Sequence, residues 1–154
     1  MFFDENFIEF ISLLNKNEVK YVLVGGLAVV LNGHSRTTGD MDIYYEREEN
    51  NVLKILKTIK DFGFGGIGFT KEDLMDVNGI VQMGRPPLRI DLLCELPGVN
   101  FKEVFESAFK YEDSGVTMKV IHINHLINNK IAVGRDKDLS DAKALKKIID
   151  RRKK

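Results

Sequence analysis

The sequence predicts an α/β protein in which a mixed, twisted sheet is flanked by helices. Short apolar runs rich in β-branched and aromatic residues, of the length of strands, alternate with longer stretches whose apolar residues recur at helical spacing. At 154 residues the chain can bury one core, and no repeat, low-complexity stretch or long linker divides it. We therefore expect a single domain over residues 1–154.

The N-terminal part predicts a helix, a strand and a second helix. Asp4 can cap a helix that ends near Asn17 and carries its apolar residues on one side. Tyr21–Val24 is an apolar run that stops at Gly25-Gly26. Leu27–Leu31 then suit a short buried helix, so that strand, glycine turn and helix follow one another directly.

The middle of the chain predicts a strand, a helix and a hairpin. Asp40–Tyr45 contains β-branched and aromatic residues typical of a strand. Asn51–Phe62 has helical spacing, and Gly63 is a natural stop. Ile80–Met83 and Leu88–Leu93 are predicted strands, and the turn between them is too short for a crossover helix, so they should pair antiparallel.

The C-terminal part predicts three helices and one strand. Phe101–Phe109 is expected to be helical and Val116–Ile121 extended. His125–Val133 and Leu139–Asp150 are the last two predicted helices.

Charge and cysteine content exclude several classes of protein. Lysine plus arginine equal aspartate plus glutamate at 23 each, which argues against a protein that coats nucleic acid by bulk charge attraction. The single cysteine, Cys94, cannot form an internal disulfide. Asp4 and Glu5 stand where a secretory signal needs positive charge, and no apolar stretch approaches the roughly 18 residues of a membrane span. We expect a cytoplasmic protein without a membrane partner.

Three aspartates form the most informative pattern. Residues two apart on a strand point to one face, so Asp40 and Asp42 should project together while Met41 enters the core. Asp91 lies in another apolar strand and could join them from a neighbouring position, since an aspartate among apolar residues needs a cleft or a cation. Crowded carboxylates stay ionised together only when a divalent cation compensates them, and magnesium is the hard, oxygen-seeking candidate. The plain alternative is a charged, solvent-facing strand edge.

The glycine doublet has two interpretations. Gly25-Gly26 can be a strand-to-helix turn that needs positive φ or close packing. It can also bind phosphate, because free amides at the start of the following helix attract anions and the missing β-carbons allow close approach.

Other patterns favour ordinary roles. Residues 63–68 match a dinucleotide-binding glycine fingerprint, but a helix precedes them where that motif demands a strand, so a flexible turn is preferred. His122 and His125 have no third nitrogen or sulfur ligand nearby, which makes a zinc site improbable. Arg151–Lys154 is most simply a solvated end, with an RNA-steering tail as the alternative.

Taken in order, Gly25-Gly26, Asp40-Met41-Asp42 and Asp91 resemble the signature of polymerase-β-like nucleotidyltransferases. The resemblance implies the core of that fold, carrying its site at one edge of the sheet. It also implies transfer of a nucleoside monophosphate from a nucleoside triphosphate to a hydroxyl, with magnesium or manganese held by Asp40, Asp42 and Asp91, and with release of pyrophosphate. Gly26 replaces the serine of many relatives, so backbone amides must hold the phosphate without that hydroxyl.

The C-terminal residues resemble a particular branch, the abortive-infection toxins of type IV toxin–antitoxin systems. Lys130 and Arg135, followed by Asp138 and Asp141, match that branch's lysine, arginine and aspartate pattern. The resemblance implies that Lys130 contacts nucleotide phosphates and that the others support the site. Arg36, in the polar loop before the acids, is a further candidate for support.

Two hypotheses of another kind stay open at this point. One is a catalytically silent module that binds a nucleotide or a partner and has lost turnover. The other is a toxin component whose acceptor is RNA or protein and whose activity an antitoxin holds down.

Overall fold

The computed structural model describes residues 2–64, 68–85 and 88–153. Gly65–Ile67 of the glycine-rich pattern, Pro86 and Pro87 of the predicted hairpin turn, and Lys154 lie outside the described residues. The helices are α1 (Glu5–Lys16), α2 (Gly25–Leu31), α3 (Glu49–Ile59), a π-helical turn (Lys60–Phe64), α4 (Lys71–Met75), α5 (Phe101–Ser107), α6 (Ile123–Val133) and α7 (Asp136–Arg152). The strands are β1 (Tyr21–Val24), β2 (Asp40–Tyr45), β3 (Ile80–Arg85), β4 (Leu88–Leu93), β5 (Phe109–Asp113) and β6 (Val116–Val120).

The strands of the described residues form one six-stranded mixed sheet in the order β3-β4-β2-β1-β6-β5. β2 runs parallel to β4 and β1 parallel to β6, whereas the remaining neighbours are antiparallel. β1 lies near the centre of the sheet, and all four of its residues are buried, as expected for a strand covered on both faces. The predicted fold class, a mixed sheet flanked by helices, is confirmed.

Alternation along β2 separates the core from a cleft. Met41 and Ile43 are buried in the core, and the Tyr45 hydroxyl on the same face donates to the Leu74 carbonyl of α4 at 2.7 Å. On the opposite face, the Tyr44 ring packs edge-on against Phe101 of α5, with 5.2 Å between centroids. Asp40 and Asp42 share this second face. Helices therefore cover the second face beside Tyr44 and leave it open beside the two acids.

Several predicted boundaries were wrong. α6 begins at Ile123, where the His122 side chain caps the helix, rather than at His125. α7 begins at Asp136 rather than at Leu139, and its acidic first turn favours a helix start. Phe109 does not end a helix but begins β5, a strand that the sequence analysis missed because Lys110, Glu112 and Asp113 obscure its apolar alternation. The short helix α4 was also missed.

None of the helices in the described ranges combines the length and the hydrophobicity that a membrane crossing requires.

Candidate active site

Two neighbouring parallel strands bring the three predicted acids together. In the register of β2 and β4, Asp42 lies beside Asp91, and Asp40 lies beside Arg89. Partners in a parallel pair project to the same face, so all three carboxylates open into one cleft. β4 and β2 are the second and third strands from the β3 end of the sheet. The acids thus lie on interior strands, and the expectation of a site at one edge of the sheet was wrong.

An arginine lies between two of these acids. The Arg89 guanidinium donates from Nε and Nη2 to the two oxygens of Asp91, at 2.8 and 3.0 Å. Nη2 also donates to Asp40 Oδ2 at 2.9 Å. These charge-assisted bonds hold Asp40 and Asp91 in fixed positions and raise the pKa of Arg89. Arg89 therefore compensates part of the negative charge of the trio.

Asp42 receives no such compensation. No lysine or arginine of the described residues forms an ion pair with it. Burial, together with the negative charges of Asp91 and Asp40, raises the pKa of Asp42 to about 6, although Lys130 acts in the opposite direction. Asp42 is therefore costly to ionise beside two other acids, and the positive charge of Lys130 offsets only part of that cost.

The trio fits a hard divalent cation by the chemistry of its donors, which are carboxylate oxygens on rigid strands. Across the described ranges, however, no group of three histidine, cysteine, aspartate or glutamate side chains is arranged to ligate a metal. Arg89 already bridges Asp40 and Asp91, so a cation bound by the three carboxylates would either share these two acids with the arginine or displace it.

The glycine doublet lies directly beside the acids. Gly25 has φ of +70°, and a β-carbon there would collide with the Asp42 carboxylate. Gly26 opens toward the loop that precedes β2, because a β-carbon there would lie 2.5 Å from Thr38 Oγ1 and 3.0 Å from Arg36 Nη2. No side chain caps the start of α2. The absence of side chains on the doublet thus leaves room for the acids on one side and for the loop on the other.

Lys130 is buried between two aspartates. Its Nζ lies 3.4 Å from Asp138 Oδ1 and 3.2 Å from Asp141 Oδ2, and only 6% of its side chain is exposed. Asp141 also pairs with Arg36, at 3.1 Å from Nε to Oδ1. In this arrangement α6 and α7 hold Lys130, and Lys130 and Asp141 together hold the loop that carries Arg36.

Arg135 completes the group at the rim of the cleft. Its Nε donates to Asp138 Oδ2 at 2.6 Å, while 63% of its side chain remains exposed. Burial would raise the pKa of Asp138, but hydrogen bonds from Arg135 and the charges of Lys130 and Arg135 lower it overall. Asp138 is therefore a stable anion, and Arg135 keeps part of its guanidinium free toward the cleft.

All ten predicted site residues come together. The cleft has a volume of about 750 Å³ and is lined by nine of them, and the tenth, Asp141, pairs with two of those nine. Two further residues of this cleft, Arg89 and Thr38, were not singled out from the sequence. Each stands two residues before an aspartate of the trio, so alternation along the chain was the signal that could have found them.

Comparison with known proteins identifies the family and the fold. The sequence matches the model of the DUF2204 family, described as a nucleotidyl transferase of unknown function, over residues 4–154. The fold is similar to that of a proposed nucleotidyltransferase from Thermotoga maritima, TM1012, with a TM-score of 0.62 and 13% identity, covering 96% of this chain and 92% of that chain. At that identity the likeness shows the fold alone. Comparison with curated proteins gives no significant match. The predicted membership of the nucleotidyltransferase superfamily is confirmed.

Replacement of Asp42 by asparagine should stabilise the metal-free protein. The folded wild type holds this proton up to about pH 6, whereas the unfolded chain releases it at about pH 4, so wild-type stability should fall as the pH rises between these values. In the presence of a chelator, Asp42→Asn should raise the free energy of unfolding at pH 7 by about 1–3 kcal/mol and lose this pH dependence. Urea unfolding across this pH range measures both effects. The exposed Asp150→Asn variant is the control, and equal stability of wild type and Asp42→Asn at pH 7 would contradict the assignment.

Replacement of Lys130 by alanine should weaken the fold itself. It leaves Asp138 and Asp141 buried with fewer positive partners, so the free energy of unfolding should fall by about 3–5 kcal/mol. Lys137 lines the same cleft but is exposed, and Lys137→Ala should change stability by less than about 0.5 kcal/mol. Urea unfolding of the two variants measures both changes. Equal changes in the free energy of unfolding would show that Lys130 is an ordinary solvated lysine.

Proposed function

Because the chain belongs to the DUF2204 family of nucleotidyl transferases, we propose that it moves a nucleoside monophosphate from a nucleoside triphosphate to a hydroxyl acceptor and releases pyrophosphate. One observation carries the proposal. The carboxylates of Asp40, Asp42 and Asp91 open into one cleft beside the Gly25-Gly26 turn. Transfer of this kind depends on positioning and charge neutralisation, so no serine or cysteine nucleophile is needed.

The proposed cofactor is magnesium or manganese, held by the three aspartates. When bound, such a cation neutralises phosphate charge and favours ionisation of the attacking hydroxyl. The raised pKa of Asp42 supports this assignment, since it reports a negative cluster without enough positive charge. Such a cation would share Asp40 and Asp91 with Arg89 or displace its guanidinium, which would then be available to other anions in the cleft.

The reaction exchanges one phosphorus–oxygen bond for another. The acceptor oxygen attacks the α-phosphorus, the bond from that phosphorus to the bridging oxygen breaks, and the electron pair leaves with pyrophosphate. The hydroxyl proton passes to a carboxylate. Our candidate is Asp91, because its strand, β4, lies next to the edge strand β3, whereas β2 lies further inside the sheet. Gly25 and Gly26 receive the triphosphate tail against the uncapped start of α2.

Lys130 has a different proposed role from the direct phosphate contact that the resemblance implies. Two carboxylates already surround its ammonium, and through Asp141 it fixes Arg36 beside Gly26. We therefore assign Lys130, Asp138 and Asp141 as positioning residues. Arg36 and the exposed part of Arg135 are our candidates to contact phosphate oxygens.

The acceptor and the cellular setting belong to the same proposal. The resemblance of Lys130, Arg135, Asp138 and Asp141 to the toxin branch supports a toxin–antitoxin component whose acceptor is RNA or protein. The described helices contain no candidate membrane span. The proposed unit is the one domain formed by residues 1–154, with nucleotide and acceptor meeting in a single cleft.

A second candidate function is a nucleotide-binding module without turnover. The bridge from Arg89 to Asp40 and Asp91 favours it, because an internal cation satisfies two of the three acids. The effect of magnesium on binding and transfer distinguishes the two functions. The silent module would bind triphosphate equally well with magnesium and with a chelator, and it would transfer no label.

Label transfer is the direct test of the enzyme. Purified protein should be incubated with each α-labelled nucleoside triphosphate, magnesium or manganese, and cellular RNA and protein. We expect label in one acceptor with wild type and a loss of at least about 100-fold with Asp42→Asn. The Asp150→Asn variant should retain full activity. If wild type transferred no more label than Asp42→Asn with every nucleotide tested, the proposed function would be overturned.

Replacement of Gly25 by alanine should abolish transfer without unfolding the protein. The new β-carbon would displace the Asp42 carboxylate, and a displacement of about 1 Å at a reacting centre can reduce turnover about 100-fold. Gly115 offers a matched control, since its φ of +80° imposes the same backbone penalty while no atom lies within 4 Å of its added β-carbon. In urea unfolding both variants should be folded without denaturant, and Gly25→Ala should lose more stability than Gly115→Ala because only Gly25→Ala adds a collision with Asp42. Equal activity of the two would refute the placement of Gly25.

A further inference from the structure

We propose that the Thr38 hydroxyl binds the triphosphate tail and takes the place of the side chain that residue 26 lacks. The inference rests on the proposed function and adds a residue to its nucleotide site. It also replaces the sequence-based expectation that backbone amides alone hold the phosphates.

The backbone conformation of Gly26 does not explain why a glycine is present. Unlike Gly25, Gly26 does not have a positive φ, so another residue could adopt its conformation. What excludes a side chain is Thr38, whose Oγ1 and Cβ lie 2.5 and 3.0 Å from the position of an added β-carbon. The volume that a serine at position 26 would fill is therefore already filled by a residue that also carries a hydroxyl.

The Thr38 hydroxyl is free to bind a ligand. Thr38 is half-buried in the wall of the cleft, and no hydrogen bond among the described residues involves its hydroxyl. Its Oγ1 lies against Gly26. The hydroxyl therefore remains available as a hydrogen-bond donor where the cleft meets the glycine turn.

A fixed positive charge adjoins this hydroxyl. Arg36 Nη2 lies 3.0 Å from the β-carbon position of Gly26. Arg36 Nη1 donates to the Thr37 carbonyl at 2.9 Å, and Nε pairs with Asp141 at 3.1 Å. The guanidinium is thus anchored on one side, and Nη2 and the Thr38 hydroxyl both lie beside the same point, the β-carbon position of Gly26. A neutral hydroxyl donor and an arginine together are suited to phosphate oxygens.

The inference implies that either residue 26 or residue 38 can supply the hydroxyl at this position. Either a serine at 26 or a threonine at 38 can fill the space, but the distances leave no room for both. If Thr38 only packed against Gly26, its replacement by valine would leave triphosphate binding unchanged, because valine has the same shape as threonine.

Binding of inorganic triphosphate with magnesium, followed by calorimetry without turnover, tests the inference. Thr38→Val should weaken binding about tenfold, because one hydrogen bond to a charged group is lost. Thr117→Val, at an exposed position on β6, should leave it unchanged. Thermal unfolding of each variant verifies that it is folded. Wild-type affinity in Thr38→Val would overturn the proposal.

A reciprocal exchange makes the test stricter. Gly26→Ser alone should impair binding through collision with Thr38, whereas Gly26→Ser combined with Thr38→Ala should restore affinity to within about threefold of wild type, because the serine hydroxyl then occupies the vacated position. A double variant that binds no better than Thr38→Ala alone would overturn the proposal. If wild type binds triphosphate in this manner but transfers no label, the proposed function fails and this inference stands. If label is transferred while Thr38→Val binds normally, only this inference fails.

Discussion

Asp42 and Asp91 stand side by side on the parallel strands β2 and β4, and the repulsion between them is the constraint that the surrounding residues must satisfy. The register of β2 and β4 sets the two residues side by side, and both line the same cleft. Arg89 relieves part of the repulsion by bridging Asp91 and Asp40. Asp42 is left without an ion-paired cation among the described residues. The site is therefore poised to accept positive charge.

The C-terminal helices stabilise the other side of the cleft through a second set of charges. Lys130 on α6 and Asp141 on α7 are both buried, and Asp141 extends the network to Arg36 in the loop before β2. Breaking a buried ion pair is costly because it leaves its partner uncompensated. This network therefore couples the folding of α6 and α7 to the position of the loop beside Gly26. It gives the lysine, arginine and aspartate pattern a structural role.

The two glycines of the turn serve different neighbours. Gly25 combines a positive φ with contact to Asp42, so both the backbone and the adjacent strand require a residue without a side chain. Gly26 has no such backbone requirement and instead makes room for Thr38. The doublet therefore looks like one motif in the sequence, but its two glycines are required by different contacts. Gly25 makes room for the acids, and Gly26 makes room for the loop before β2.

The sequence by itself determined the fold class and the membership of the acidic trio, because both depend on local signals. Strand alternation places Asp40 and Asp42 on one face whatever lies beside them, and an aspartate among apolar residues such as Asp91 requires a cleft. Short elements escaped prediction: α4 is one turn long, and charged residues obscure β5. Only the tertiary structure decided that β4 pairs with β2 in the register that joins Asp91 to Asp42. The same holds for the bridge from Arg89 to two acids, the burial of Lys130 and the contact of Thr38 with Gly26. Each of these features depends on which strands and loops become neighbours, and that is determined by contacts between residues far apart in the sequence.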